Sequence, residues 1–191
     1  MLKPQDIVML LKMLAMITIP KETPSELLSQ GQLAIHLCMS ASEVNAGTKR
    51  LTQAGLLVLT NKKELLLQFP RNLILLPSRA ACEECLISGV KYFFPAKLGG
   101  LTRGIVTSYA APVFKKQIVI GDTPVPIWPY AEGDQLGLAL EPLYSSVPKS
   151  VMQYPDQLFY DLLALVDAIR SGRARERNMA IKLLREKLHG E

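Results

Sequence analysis

The segment GQLAIHLCMSASEVNAGTKRLTQAGLL, residues 31–57, restricts the fold more than any other stretch of the chain. Leu33, Ala34 and Leu37 recur at a spacing that places them on one face of a short helix. Cys38 and Met39 cross a tight turn. Ser40 and Glu43 then form a Ser-x-x-Glu capping box, in which each side chain satisfies an amide that a helix start leaves free. Val44, Leu51 and Ala54 continue as a buried stripe, with the small Gly47 and Thr48 between them. Gly55 stands where a left-handed residue after a helix is wanted, so the second helix is predicted to end near Ala54. Two residues depart from the usual pattern. Cys38 occupies a turn position that typically carries Gly, and Gly47 inside a helix costs about 1 kcal/mol relative to Ala.

The second helix keeps Ser42, Glu43, Asn45, Ala46, Lys49, Arg50 and Gln53 on its open face, behind Ser40 at its start. Asn and Gln pair with adenine edges, Arg or Lys with guanine, and Ser with bases or phosphate. The same residues also fit an ordinary solvated face. The capping box, the turn and the Ala-Gly-Leu-Leu exit favour contact with double-stranded DNA. Residues 4–16 read as a preceding apolar helix, with Pro4 in the first turn where its missing amide costs nothing. After Leu56, the run LLVLTNKKELLL reads as a β-hairpin whose tip is Asn61, Lys62 and Lys63. A basic tip suits a phosphate contact, which sets register without reading sequence, and equally a solvated turn.

Residues 1 to about 65 resemble the winged helix-turn-helix of MarR-like bacterial transcriptional regulators. The resemblance is carried by Leu33, Ala34, Leu37, residues 40–43, Val44, Lys49, Arg50, Leu51 and residues 54–57. It covers about a third of the chain and is more specific for fold than for function, because winged helices also serve as protein-interaction modules and RNA binders. It implies a homodimeric, sequence-specific DNA-binding regulator, expected to be a repressor. Ser40, Ser42, Asn45, Ala46, Lys49, Arg50 and Gln53 would then face DNA, with Lys62 and Lys63 on the wing. Through GGLTRG and LEPLYSSVP the remaining two thirds are similar to uncharacterised bacterial regulator-type proteins, and that similarity names no ligand.

The expected class is α+β, mainly α: a winged helix-turn-helix over 1–68, then a dimerisation, effector or partner-binding region over 69–191. Residues 70–77 form a connector whose apolar centre, 73–76, can pair as a short strand. A helix capped by Ser78 is predicted from Arg79 to about Lys91. Residues 95–148 hold seven of the 13 prolines and six of the 12 glycines, so they read as a meander over helices. Within it, 118–120 is strand-like and 125–128 extended on an edge. Two helices close the chain, over 155–171 and 173–189. From Arg170 onward there are seven Lys or Arg against three Glu, which fits either the charged face of a packing helix or a second phosphate surface. The same helices could supply a dimer seam.

An excess of 22 Lys and Arg over 17 Asp and Glu gives a formal charge of +5, compatible with nucleic acid without demanding it. Lys3, Asp6 and Lys12 interrupt the apolar start, so neither a signal peptide nor a membrane span is expected, and the protein is placed in the cytoplasm. Three cysteines argue against a disulfide framework. Cys82 and Cys85 form a Cys-x-x-Cys, with His36 and Cys38 as imaginable companions in a zinc site. The pair nevertheless reads as helix, without the knuckle of structural zinc or the preceding strand of a redox motif, so no metal or cofactor is expected.

GGLTRG lacks the Gly-Lys-Ser/Thr of a phosphate loop and reads as a turn from which Arg103 reaches a carbonyl or carboxylate. If this region binds a small effector, Arg103, Tyr109 and Trp128 are the candidates. His36 and His189 are isolated, and no catalytic motif appears, so the chain reads as a binding protein rather than an enzyme. The alternative to a repressor is an antitoxin-like or adaptor protein whose C-terminal region holds a protein partner.

Overall fold

The computed structural model describes residues 1–18, 29–59, 75–115, 117–118, 121 and 123–189. The fold is α+β and mainly helical. Helix α1 (Pro4–Thr18) is buried without interruption from Asp6 to Met16. A helix apolar around nearly its whole circumference belongs inside a molecule. It carries two charged groups inward, Asp6 and Lys12, and both are paired: Asp6 with Arg50, and Lys12 with Asp156 at 2.8 Å.

Against α1 pack α2 (Gln30–Leu37) and α3 (Ala41–Gln53). The turn between them forms as its residues dictate. Cys38 takes a left-handed φ of 52°, the conformation that favours Gly. The Ser40–Glu43 capping box is present in both directions, and Gly55 is left-handed at φ 73° after Ala54. Gly47 has a structural reason. A Cβ there would press on the Met9 sulfur and on Asp6, so its absence lets α1 and α3 approach closely.

Strand β1 (Leu57–Leu59) pairs antiparallel with β2 (Leu75–Pro77), Leu57 opposite Pro77 and Leu59 opposite Leu75. β2 is the end of the apolar connector, and the expected return of the hairpin through 64–67 lies outside the described residues. The expected tip at Asn61, Lys62 and Lys63 lies outside the described residues. Helix α4 (Arg79–Glu84) runs through a π turn (Cys85–Gly89) into α5 (Val90–Phe93). Ser78 sits at its N-cap, but the hydroxyl makes no capping bond.

Where a meander was expected, three strands close on one another. β3 (Leu98–Val106) pairs antiparallel with both β4 (Pro126–Pro129) and β5 (Gln135–Leu140), while β4 pairs parallel with β5. β4 is thus no edge, and GGLTRG lies in a strand rather than a turn. Gly104 sits at the junction, opposite both Pro129 and Gln135. A Cβ at Gly104 would overlap the Trp128 carbonyl, and one at Gly137 would overlap that of Val125. These glycines are set by strand-to-strand distance, not by turn geometry. Ile118 lies outside any strand, and 119–120 are outside the described residues.

α6 (Val147–Gln153), α7 (Gln157–Ser171) and α8 (Ala174–His189) complete the chain. Asp156 caps α7 by accepting from the Phe159 amide, and the same carboxylate holds Lys12. One hydrophobic cluster takes in Leu10 and Leu14 of α1, Leu37 of α2, Leu51 of α3, Cys82 and Leu86 beyond β2, Leu165 of α7 and Leu184 of α8. The core therefore runs across the expected boundary near residue 68. Among the described residues, no helix is long and apolar enough to cross a membrane.

Candidate nucleic-acid interface

Helix α3 divides cleanly by side. Val44, Gly47 and Leu51 face the core, while Ser42, Asn45, Ala46, Lys49 and Gln53 are exposed. The exposed residues are spaced three, one, three and four apart, which keeps them on one continuous stripe. Its groups comprise a hydroxyl, two side-chain amides, one ammonium and the small gap of Ala46. That set presents donors and acceptors with room for close approach.

Two residues expected on this face are committed elsewhere. Arg50 forks onto Asp6, Nε to Oδ2 at 2.7 Å and Nη2 to Oδ1 at 2.6 Å. Asp6 is fully buried and also accepts the Lys3 amide at 2.8 Å. The hydrogen bonds to Asp6 raise the Arg50 guanidinium above its ordinary range. Arg50 is therefore a strut between α1 and α3, and its fork is spent on a carboxylate rather than a guanine. Ser40 is exposed, but its hydroxyl accepts from the Glu43 amide and donates to Glu43 Oε2 at 2.9 Å. It closes the helix start.

The turn before α3 is held from behind by LEPLYSSVP and the helix that follows it. The Tyr144 hydroxyl donates to Glu43 Oε1. Ser146 Oγ donates to the Leu37 carbonyl at 2.7 Å, and Ser150 Oγ to the His36 carbonyl at 2.6 Å. These satisfy two carbonyls that the end of α2 leaves open. His36 stacks on Tyr154, ring centroids 5.1 Å apart and nearly parallel, and Cys38 Sγ lies 3.5 Å from Gln153 Oε1. The hydrogen bond from Tyr144, then those from Ser40, hold the Glu43 carboxyl below its usual 4.5. This brace was not legible in the sequence, because its partners lie about a hundred residues from the turn. It leaves the stripe itself uncovered.

Lys3 was also missed. It is exposed, and its charge acts on Glu43, which places a further cation near the first turn of α3. Lys62 and Lys63 lie outside the described residues.

The effector candidates do not converge. Trp128 is buried in the core, where its Nε1 donates to Asp167 Oδ2 at 2.6 Å. Asp167 also takes the Thr107 hydroxyl and Arg170, and burial pushes its carboxyl up against the pull of Arg170. Trp128 is an anchor of the core rather than a ligand contact. Arg103 lies exposed on β3 and donates to the Gly133 carbonyl at 3.1 Å, one of the two alternatives its sequence context allowed. Tyr109 sits half-buried in a 3-10 turn (Ser108–Ala110), its phenol pushed up by burial and then by Glu176. Burial likewise pushes the Cys82 thiol up to about 12 and raises Cys85, which keeps both protonated.

The basic end is paired in part. Lys187 holds Asp161, Arg185 and His189 hold Glu83, and Lys182 lies 3.9 Å from Glu186. Lys187, Arg185 and His189 attach α8 to its neighbours, as the packing-helix alternative requires, while the Lys182 pair lies within α8. Comparison with family models, curated proteins and solved structures finds no match to this chain.

Proposed function

We propose that this chain is a sequence-specific double-stranded DNA-binding regulator, a repressor acting as a homodimer. In this reading the first third works as a winged helix-turn-helix, and α3 lies in the major groove. Asn45 and Gln53 read base edges, Lys49 meets guanine or phosphate, Ser42 meets a base or phosphate, and Ala46 gives clearance. Lys62 and Lys63 of the wing meet phosphate. The protein binds rather than catalyses.

The observation that carries this reading is the single exposed stripe on α3, clear of the core and of the brace, with its helix clamped at both ends. A helix that only packs has no need of fixed tilt on its solvent side. A reading helix does, since bidentate pairing tolerates little misplacement.

Fluorescence anisotropy titration against labelled duplexes, at several salt concentrations, tests it. Binding should tighten as salt falls, with log K linear in log salt, and some sequences should bind at least about a thousandfold tighter than random duplex. Finding no duplex preferred over random DNA at modest salt overturns the proposal.

A further inference from the structure

A DNA-reading dimer needs a seam, and the closing helices do not supply it. Ala180, Leu183, Leu184 and Leu188 of α8 are buried within the chain, Met179 and Ile181 pack half-buried against the same core, and α7 is buried from Leu158 to Ile169 with one half-exposed tyrosine. Large apolar side chains are instead exposed on the strand ring. Leu101 on β3 lies directly opposite Leu138 on β5, and Arg103 opposite Leu136. Directly opposed residues share a face of the ladder. On that face Leu101 is 62% exposed, Leu136 69% and Leu138 37%, with Leu98 at 68% across the irregularity at Gly99 and Gly100.

We infer that this leucine face is where a second copy of the chain docks. Choosing a second copy rests on the DNA-binding reading. Three further features fit it. First, the three strands close into a ring in which Gly104, Ile127 and Leu138 are each paired on both sides, which leaves only short edges for an added strand and favours recognition through the side chains. Second, the face carries both signs at one end: Arg103 lies opposite Leu136, and Asp134, two residues before Leu136, falls on the same side by strand alternation, both exposed. A two-fold axis near that end sets each Arg103 against an Asp134 of the second copy, as a self-complementary contact requires. The face is also spared the repulsion that a net charge of +5 imposes elsewhere. Third, covering four such leucines removes on the order of 400 Å² of apolar surface per copy, about half of what each partner buries in a standard-size interface, and a polar rim supplies the remainder.

Sedimentation equilibrium of the full chain at tens of micromolar, without DNA, tests this. The wild-type chain should sediment at twice its 21.1 kDa. Leu101→Glu and Leu136→Glu should each weaken self-association on the order of tenfold or more, since each puts a charge into the apolar centre. Both sites are solvent-facing, so far-UV circular dichroism and melting should match wild type, and these confirm that the variants are folded. A wild-type monomer, a dimer that survives both substitutions, or a complex with a different protein in place of self-association each overturns the inference. Because no DNA is present, a dimer broken by these substitutions stands even if no duplex binds. A monomer that binds DNA sequence-specifically removes this seam and leaves the DNA reading intact.

Discussion

Lys49 and Arg50 are adjacent in sequence, yet a step of about 100° around α3 separates their tasks. Lys49 points to solvent, whereas Arg50 is clamped to Asp6. Removing Arg50 strands a fully buried carboxylate, so Arg50→Ala should cost about 3 kcal/mol in urea denaturation. Lys49→Ala should change stability by less than about 0.5 kcal/mol, as exposed substitutions do. It should weaken duplex binding and lower the salt slope by about one. Equal stability losses at the two positions would refute the division. Two small-residue positions carry opposite expectations. Gly47→Ala should destabilise by about 1–3 kcal/mol despite its better helix propensity, because the methyl meets Met9 and Asp6. Cys38→Gly should stabilise by up to about 1 kcal/mol by relieving the left-handed φ. Local chemistry of this kind was legible in the sequence. The Ser40–Glu43 box, the stop at Gly55 and the oddity of Cys38 need only a few neighbouring residues to declare themselves. The Arg50–Asp6 fork spans 44 residues, so nothing in its surroundings distinguishes it from a solvent-facing arginine.

At the scale of elements, the brace from Tyr144 to Ser150 joins the turn before α3 to the later half of the chain. Glu43 is held below its ordinary pKa, so the stability it contributes is fully present above about 4.5 and is lost as pH falls through the lower, folded value. The melting temperature should therefore fall on acidification below about pH 4.5. Tyr144→Phe removes the main cause of the shift, so the variant should lose less of its stability over that range while starting about 1 kcal/mol lower at neutral pH. Parallel pH profiles for the two proteins would mean that the hydroxyl does not hold Glu43. Long helices were legible here, since periodicity reports them directly. The strand ring was not. Gly99, Gly100, Gly104 and Gly137 imitate turn punctuation, whereas Gly104 and Gly137 record how closely the strands pass. Trp128 misled for a related reason: an aromatic in a Pro-rich stretch resembles a binding residue until its indole nitrogen is seen to hold Asp167 in the core.

For the whole molecule, the continuous hydrophobic cluster joins α3 to the helices at the end of the chain. Unfolding should therefore be a single cooperative transition. Fluorescence of Trp128, the one tryptophan, reports the later half, and far-UV circular dichroism reports every helix. The two should give coincident urea midpoints, and separated midpoints would show that the halves unfold independently. A tightly coupled core also fixes the tilt of α3 relative to the leucine face on the strand ring, the geometry that a two-fold reader must keep constant.

Selection of bound duplexes from a random pool, run in parallel with the wild-type chain and with Asn45→Ala, addresses the function of the exposed stripe most directly. The wild type should enrich an inverted repeat, and Asn45→Ala should lose preference at one base-pair position per half-site while keeping the others, a cost of about 1–3 kcal/mol at that position. A pool that emerges without any shared sequence, or an enriched site that Asn45→Ala leaves unchanged along with Lys49→Ala and Gln53→Ala, would show that this face of α3 does not read DNA.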